Sequence, residues 1–492
     1  MIRLSDATLA DLPATVQRPS YDRAALRPGI LHIGVGNFHR AHQAWYLHRL
    51  MQQGQALDWA IIGAGVRPAD AQMRAKLAGQ DWLSTLIELD PAQMRAEVVG
   101  AMRGFVPVSS DNAPLIAQMA APEIRIVALT VTEGGYYRDP ATQALDAAHP
   151  DMRHDAAHPD RPRSAFGAMI AALKRRRANG AGPFTAMSCD NLQGNGAVLR
   201  QTLVSLARRS DPDLAAWIAA ECSFPNSMVD CIVPATGPQT LAAVRGLGID
   251  DAVPVAHENY RQWVIEDAFC AGRPDWDRVG ATFATDVHAY EAMKIRILNA
   301  GHQVLANAGE LLGLPTIADC IRHPTLARFF RKVQAEEIAP TVPAVPGMTP
   351  AAYVDLIERR FANAKIGDTT RRVAFDGASR HAGFVLPVLR ERLAAGQSVE
   401  GLALVEALWA RMCAGLREDG GAIAPNDPEW PALSAAATVA RDRPAAWLDQ
   451  PIYAGLGANT GFAAAFSGWL SLLWTAGCDA ALSRYCQNRT PE

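Results

Sequence analysis

Ile30-Leu31-His32-Ile33-Gly34-Val35-Gly36-Asn37-Phe38-His39-Arg40-Ala41-His42 is the most informative segment of this chain. Its apolar run breaks at two glycines and then passes into a helix-like segment that opens with His-Arg. A chain brings bare backbone amides and a helix N-terminus up to the pyrophosphate of a dinucleotide in this way. Gly34, Gly36, Asn37, Phe38, His39 and Arg40 are therefore candidate cofactor contacts. His39 stands where the usual fingerprint has its third glycine, so the motif is incomplete and an ordinary strand-to-helix turn competes with it.

The pattern around this turn is α/β. Leu31 to Val35, Trp59 to Ile62, Ile124 to Val131 and Phe184 to Ser188 read as strands, with amphipathic segments such as Ser164 to Arg177 between them. The alternation predicts a doubly wound Rossmann-type sheet whose ligand sits beyond the carboxyl ends of the strands. Beyond about residue 285 the β signal fades. Lys294 to Leu312, Leu326 to Ile338, Ala351 to Phe361, Leu386 to Ala395 and Leu402 to Leu416 read as helices separated by proline and glycine loops. A dinucleotide-binding domain over residues 1–284 and a mostly α-helical substrate-binding domain over 285–492 are expected.

A chain of 492 residues, 49% of them hydrophobic, is long enough for two large cores. Its net charge of -3 gives no basic footprint for nucleic acid, so a small-molecule partner is expected. No secretory signal is visible, and the apolar segment Gly461 to Ala476 is short for a membrane span. A cytoplasmic monomer that touches no membrane is the expectation. Eight scattered cysteines without a CxxC pair argue against a disulfide framework or a structural zinc site. His149, His154 and His158 lie among Asp151, Asp155 and Asp160, but the nearby prolines predict a solvated loop, and no metal is expected.

The densest chemistry lies in Tyr290-Glu291-Ala292-Met293-Lys294-Ile295-Arg296-Ile297-Leu298-Asn299-Ala300-Gly301-His302. At about 100° per residue, Lys294, Asn299 and His302 fall within an arc of roughly 140°. One helix face then presents an amine, an amide and an imidazole. A desolvated lysine works as a general base near neutral pH, and an amide donates to a developing alkoxide without titrating. Asn191, just after the strand ending at Ser188, offers a second amide at the sheet's carboxyl edge. Asp230, closing Phe224-Pro225-Asn226-Ser227-Met228-Val229-Asp230, offers a carboxylate for the lysine or a substrate hydroxyl.

Taken together, GVGNFHRAH, TVTEGGYY (130–137), SCDN (188–191), FPNSMVD (224–230), RQWVIED (261–267), GRPDWDRVGA (272–281) and KIRILNxxH (294–302) closely resemble the mannitol 2-dehydrogenase family. This family of polyol-specific long-chain dehydrogenases also includes D-arabinitol 4-dehydrogenase and fructuronate reductase. The resemblance implies metal-independent hydride transfer between a polyol and a ketose, with Lys294 as general base and Asn191 and Asn299 as the paired donors to the substrate oxygen. It further implies that His302 and Asp230 bind neighbouring hydroxyls, that Glu291 passes the proton to solvent, and that Arg372 and Arg380 reach the distal end of the substrate. NAD is the cofactor the family leans towards. Asp70, after the strand Trp59 to Ile62, is then the ribose-binding acid, while Arg67 would pair with the 2'-phosphate if NADP were used.

Three places depart from the family pattern: Arg380-His381-Ala382, Cys231 after Asp230, and His257-Glu258-Asn259-Tyr260. They bear on substrate identity, so reduction of a sugar acid of the fructuronate type stands as the alternative. Tyr290 and Lys294 also spell the YxxxK pair of short-chain dehydrogenases, in chains about half this length. A non-catalytic dinucleotide-binding regulator would be expected to have lost the lysine or its asparagines, and all are present.

Overall fold

The computed structural model describes residues 1–139 and 142–487. Contacts divide the chain into two units, Met1–His288 and Ala289–Glu492.

In the first unit the elements of the sheet run β1 (Pro28–Ile33), α1 (Asn37–Ala41), α2 (Gln43–Gln52), β2 (Ala60–Ala64), α3 (Pro68–Ala78), β3 (Met102–Phe105), α4 (Ala113–Ala120), β4 (Ile126–Leu129), α5 (Pro150–Ala157), α6 (Ala165–Asn179) and β5 (Thr185–Ser188). Their order in space is β3-β2-β1-β4-β5, and every pair is parallel. This is the doubly wound half-fold, with its topological switch between β1 and β4. Side-chain alternation explains the layering. Leu31 and Ile33 join Val127 and Leu129 in one core, whereas Ile30 joins Ile126 and Ala128 in the core on the opposite face. Strands buried on both faces read as continuous apolar runs, which is why all four expected strands are present. The first ends at Ile33 rather than Val35, because Gly34 turns the backbone to a positive φ of 93°.

Three further sheets were not anticipated, the smallest a parallel pair of Ile2–Arg3 with Ile249–Asp250. Val255–Glu258, Ser84–Leu89, Met94–Val99 and Val16–Gln17 form a four-stranded sheet. Its central hairpin has charged residues such as Glu88 and Arg95 cross-strand paired, which blurs the apolar alternation. A three-stranded sheet joins β6 (Ser227–Asp230) to Gln262–Glu266 and Thr282–Ala284.

The expected solvated loop around His149 is instead helix α5. Pro150 occupies its first turn, where a missing N–H costs nothing, and the His149 ring accepts from the Asp151 N–H. Asp155 is buried and accepts from the N–H groups of Arg163 and Ser164, which anchors the entry to α6. These residues therefore have structural partners.

The second unit is helical. Among the described residues it contains no strand, only isolated bridges such as Thr316 to Thr369. Helix α7 (His288–Met293) begins at its border and leads through Lys294–Asn299 into α8 (Ala300–Leu311), all twelve of whose residues are buried. After α8 come α9 (Pro324–Val333), Pro350–Phe361, Leu386–Ala394 and Glu400–Cys413. The last is buried from Gly401 to Cys413, and a helix buried on every side marks the centre of a bundle. Thr460–Ala476 packs against it. No helix among the described residues is long and apolar enough to cross a membrane.

Candidate functional site

The glycine turn is built by close approach. A Cβ at Gly34 would stand 2.1 Å from the Thr130 carbonyl oxygen, and the Thr130 hydroxyl donates to the Gly34 carbonyl at 2.6 Å. Only glycine fits that position. Gly36 caps α1, and the Cβ it lacks would meet no atom within 4 Å. The turn thus leaves open backbone at the start of α1.

The side chains after the turn do other work. His39 is 1% exposed and stacks on His32 of β1 with ring centroids 3.6 Å apart. Its imidazole fills the space that a third glycine normally leaves for close helix-to-strand packing. Arg40 is equally buried. Its guanidinium donates to the carbonyls of Gly36 and Val253 and to the Asn37 side chain, so it braces the turn from behind. Asn37 in turn donates to Thr236 at 2.9 Å, and Phe38 stacks on His42. Burial pushes the His32 pKa down to about 3 and holds His39 well below its ordinary range. Both rings are therefore neutral at pH 7.

At the carboxyl end of β2, Asp70 folds back over Gly65, where an added Cβ would lie 2.3 Å from the carboxylate. Its Oδ2 accepts from the Arg67 N–H at 2.9 Å, as the N-terminal cap of α3. The cap brings an acid that is late in sequence back to the strand end. Arg67 is exposed beside it.

Asn191 is exposed just beyond β5, and Asp230 is buried at the end of β6. Sequence reading passed over the groups that hold them. Asp190 accepts from the N–H groups of Val131 and Thr132 and from the Tyr136 hydroxyl, latching the TEGGYY segment to the end of β5. Asn195, fully buried, donates to the carbonyls of Asp190 and Ser227 and accepts from the Ser227 N–H at 2.8 Å. The Asn191 loop is thereby stitched to the strand that carries Asp230. Its only sequence signal is an amide four residues after Asn191, inside a glycine-containing loop.

Among the departures, His257 is buried against the Glu258 carbonyl and the Arg261 guanidinium. Burial, reinforced by the Arg261 charge, pushes its pKa down to about 3.

In the second unit, Glu291, Lys294, Asn299 and His302 are all buried. Lys294–Asn299 is a π-helical turn, where a continuous α-helix was expected. The i→i+5 register brings residues five apart towards one line, so Lys294 and Asn299 stand closer in angle than 100° per residue implies. His302 stacks on Phe361 at 4.3 Å, with its Nε2 3.9 Å from Asp368. Burial pushes its pKa down to about 3.

Asp368 was not read from the sequence. It accepts both Arg372 bonds, from Nε and Nη2 at 2.6 Å each, so the guanidinium fork is already oriented by a carboxylate. Arg380 is half-buried at the end of a short helix, and its neighbour His381 is fully buried. That imidazole meets Glu406 at 2.7 Å and Asn307 at 3.0 Å and stacks on Trp409. Glu406 also accepts from Tyr453, which receives the Trp447 N–H. A buried polar network thus accommodates the histidine of this departing segment.

The candidate metal ligands that gather closest, Glu266, Asp286 and His288, have local partners. Glu266 accepts twice from Asn226, and Asp286 accepts from the His288 N–H.

Residues 28–278 match the model of the mannitol dehydrogenase Rossmann domain, and residues 286–474 match that of the mannitol dehydrogenase C-terminal domain. The chain belongs to the mannitol dehydrogenase family. It is similar to the mannitol 2-dehydrogenase of Cereibacter sphaeroides, with 55% identity over 472 residues, 96% of this chain and 99% of that relative. The solved ternary complex of Pseudomonas fluorescens mannitol 2-dehydrogenase with NAD and D-mannitol is 38% identical and superposes with a TM-score of 0.89 over 99% of this chain and 100% of that one. A substrate-free D-sorbitol dehydrogenase is 33% identical, also with a TM-score of 0.89, over 97% of this chain and 100% of that one. Membership of this family makes the protein an oxidoreductase with a Rossmann domain and a helical C-terminal domain.

Proposed function

We propose that this family member oxidises D-mannitol at C2 to D-fructose, and runs the reverse reduction, with NAD as redox partner and Lys294 as general base. The observation that carries the reading is the set Lys294, Asn299 and His302, held nearly buried along one run of helix. An amine in such surroundings loses proton affinity and accepts a hydroxyl proton near neutral pH.

NAD, when bound, supplies the hydride acceptor. Gly34 and Gly36 would admit its pyrophosphate, and Asp70 would take the ribose hydroxyls. The carboxylate repels a 2'-phosphate, which favours NAD over NADP. Lys294 takes the proton of the C2 hydroxyl as the C–H electron pair leaves. Asn299 donates to the same oxygen, which carries negative charge during the step, and the family resemblance gives Asn191 the same role. Glu291 relays the proton from Lys294 to solvent. Neutral His302 and Asp230 bind neighbouring hydroxyls, and Arg372, aligned by Asp368, with Arg380 binds the distal ones. The chemistry asks for no metal, because lysine supplies the base and the amides supply the oxyanion donors.

Similarity to the Cereibacter enzyme over nearly the whole chain and to the NAD and mannitol complex supports this substrate over a sugar acid. Initial rates with mannitol, sorbitol, arabinitol and fructuronate, each with NAD and NADP and with a chelator present, test it. Mannitol with NAD should give the highest kcat/KM. A fructuronate efficiency far above that for fructose would reassign the substrate.

A further inference from the structure

The turn that carries Lys294 and Asn299 is π-helical, and such turns are uncommon because the wider register weakens the ladder. The Ala300 N–H reaches back to the Ile295 carbonyl, five residues away. Something outside the helix has to favour this register over the α-helix on either side. Gln334 is placed to do so. It is fully buried, and its Nε2 donates to the carbonyl of Ile297, midway along the turn, at 2.8 Å. Gly301 admits it: a Cβ there would stand 2.6 Å from the Gln334 amide nitrogen and 3.1 Å from the Phe330 ring. A glycine inside a helix sacrifices propensity, and here the gain is the approach of that amide. Gln334 Oε1 has no hydrogen-bond partner among the described residues, so the Ile297 contact is what the side chain accomplishes.

We propose that Gln334 is a positioning residue for the reaction: its amide, admitted by Gly301, holds Lys294–Asn299 in the five-residue register that aligns the lysine with the asparagine. The inference rests on the reading of Lys294 as base and Asn299 as donor. Without the contact the turn relaxes towards α-helical spacing. Residues five apart then move back towards a separation of about 140° around the axis. A displacement of about 1 Å at reacting groups costs on the order of a hundredfold in rate.

Gln334→Met keeps length and volume but removes the donor, and it also removes the unpartnered oxygen, so the stability cost is small. The variant should lose about ten- to hundredfold in kcat for mannitol oxidation, with the NAD dissociation constant unchanged. Gly301→Ala displaces the amide, and should reproduce the kcat loss at a modest cost in Tm, since the new methyl crowds Gln334 and Phe330 while improving helix propensity. It serves as the test if Gln334→Met folds poorly. Because both changes act through one contact, the double variant should be no slower than the worse single one. Wild-type kcat in Gly301→Ala, or kcat losses that multiply in the double variant, would overturn the proposal. Lys294→Ala, measured alongside, separates the two readings. If it retains near-normal turnover, the base assignment fails. If it is inactive while the two register variants keep wild-type kcat, only the positioning role fails.

Discussion

Lowering the pH from 7.5 to 5.5 should destabilise the first unit far more than the second. His32, His39 and His257 are buried there with pKa values pushed down by desolvation, to about 3 for His32 and His257 and well below the ordinary range for His39. In the unfolded chain each titrates near 6.5. Between the folded and unfolded values the unfolded state binds more protons, so stability rises with pH and is lost as pH falls below about 6.5. Over this interval one such histidine loses about 1.4 kcal/mol, and three lose about 4 kcal/mol. The second unit carries one, His302, and loses about 1.4 kcal/mol. Asp190, whose carboxyl burial raises, acts in the opposite sense as pH falls towards its folded value. Glu97, held down to about 2, loses its contribution only below its unfolded value near 4.5, outside this window. A loss of about 4 kcal/mol is a large share of the 5–15 kcal/mol typical of a domain. Urea denaturation at the two pH values, with hydrogen exchange to separate the units, measures it. His39→Phe preserves a ring on His32 but cannot titrate, so it should reduce the pH-dependent loss by about 1.4 kcal/mol. Equal stability of the first unit at both pH values, or an unaltered slope in His39→Phe, would refute the reasoning.

Asp368→Asn removes the charge that aligns Arg372 and should raise the mannitol KM about tenfold, with a smaller effect on kcat, once solvent screening of the exposed guanidinium is allowed for. Arg380→Ala should also raise the KM roughly tenfold, the worth of one or two hydrogen bonds, and an unchanged KM would place that residue outside the pocket. Asp70→Ala should lower the NAD-over-NADP efficiency ratio by at least about tenfold while destabilising α3 by about 1 kcal/mol through its lost cap, read from kinetics and thermal unfolding.

Four of the five Rossmann strands were legible because they are buried on both faces and end at glycine or polar residues, as at Gly34; Met102–Phe105, with its half-buried Arg103 and Gly104, was not. The helical second unit was legible because Ala300 to Leu311 and Gly401 to Cys413 are rich in alanine and leucine, strong helix formers. What escaped detection depends on long-range pairing. Ser84–Leu89 and Met94–Val99 become strands only through each other and Val255–Glu258, and their charged residues mask the period. In the site, residues on one helix were readable from spacing, and Asp368 stands only four residues before Arg372, a readable spacing that no motif flagged. Asn195 and Gln334, however, act across tens of residues of chain, where spacing carries no information. The π-helical turn is invisible for the same reason. The Gln334 contact with Ile297 comes from another helix.

The role of Lys294 as general base is tested most directly by the turnover of Lys294→Ala with and without added primary amine. Removal of a positioned base should cut kcat for mannitol oxidation by about two to four orders of magnitude while NAD still binds. Methylamine, entering the space left by the side chain, should restore part of the rate in proportion to its free-base concentration. Near-normal turnover in Lys294→Ala would contradict the account, as would a loss that appears only in Tyr290→Phe.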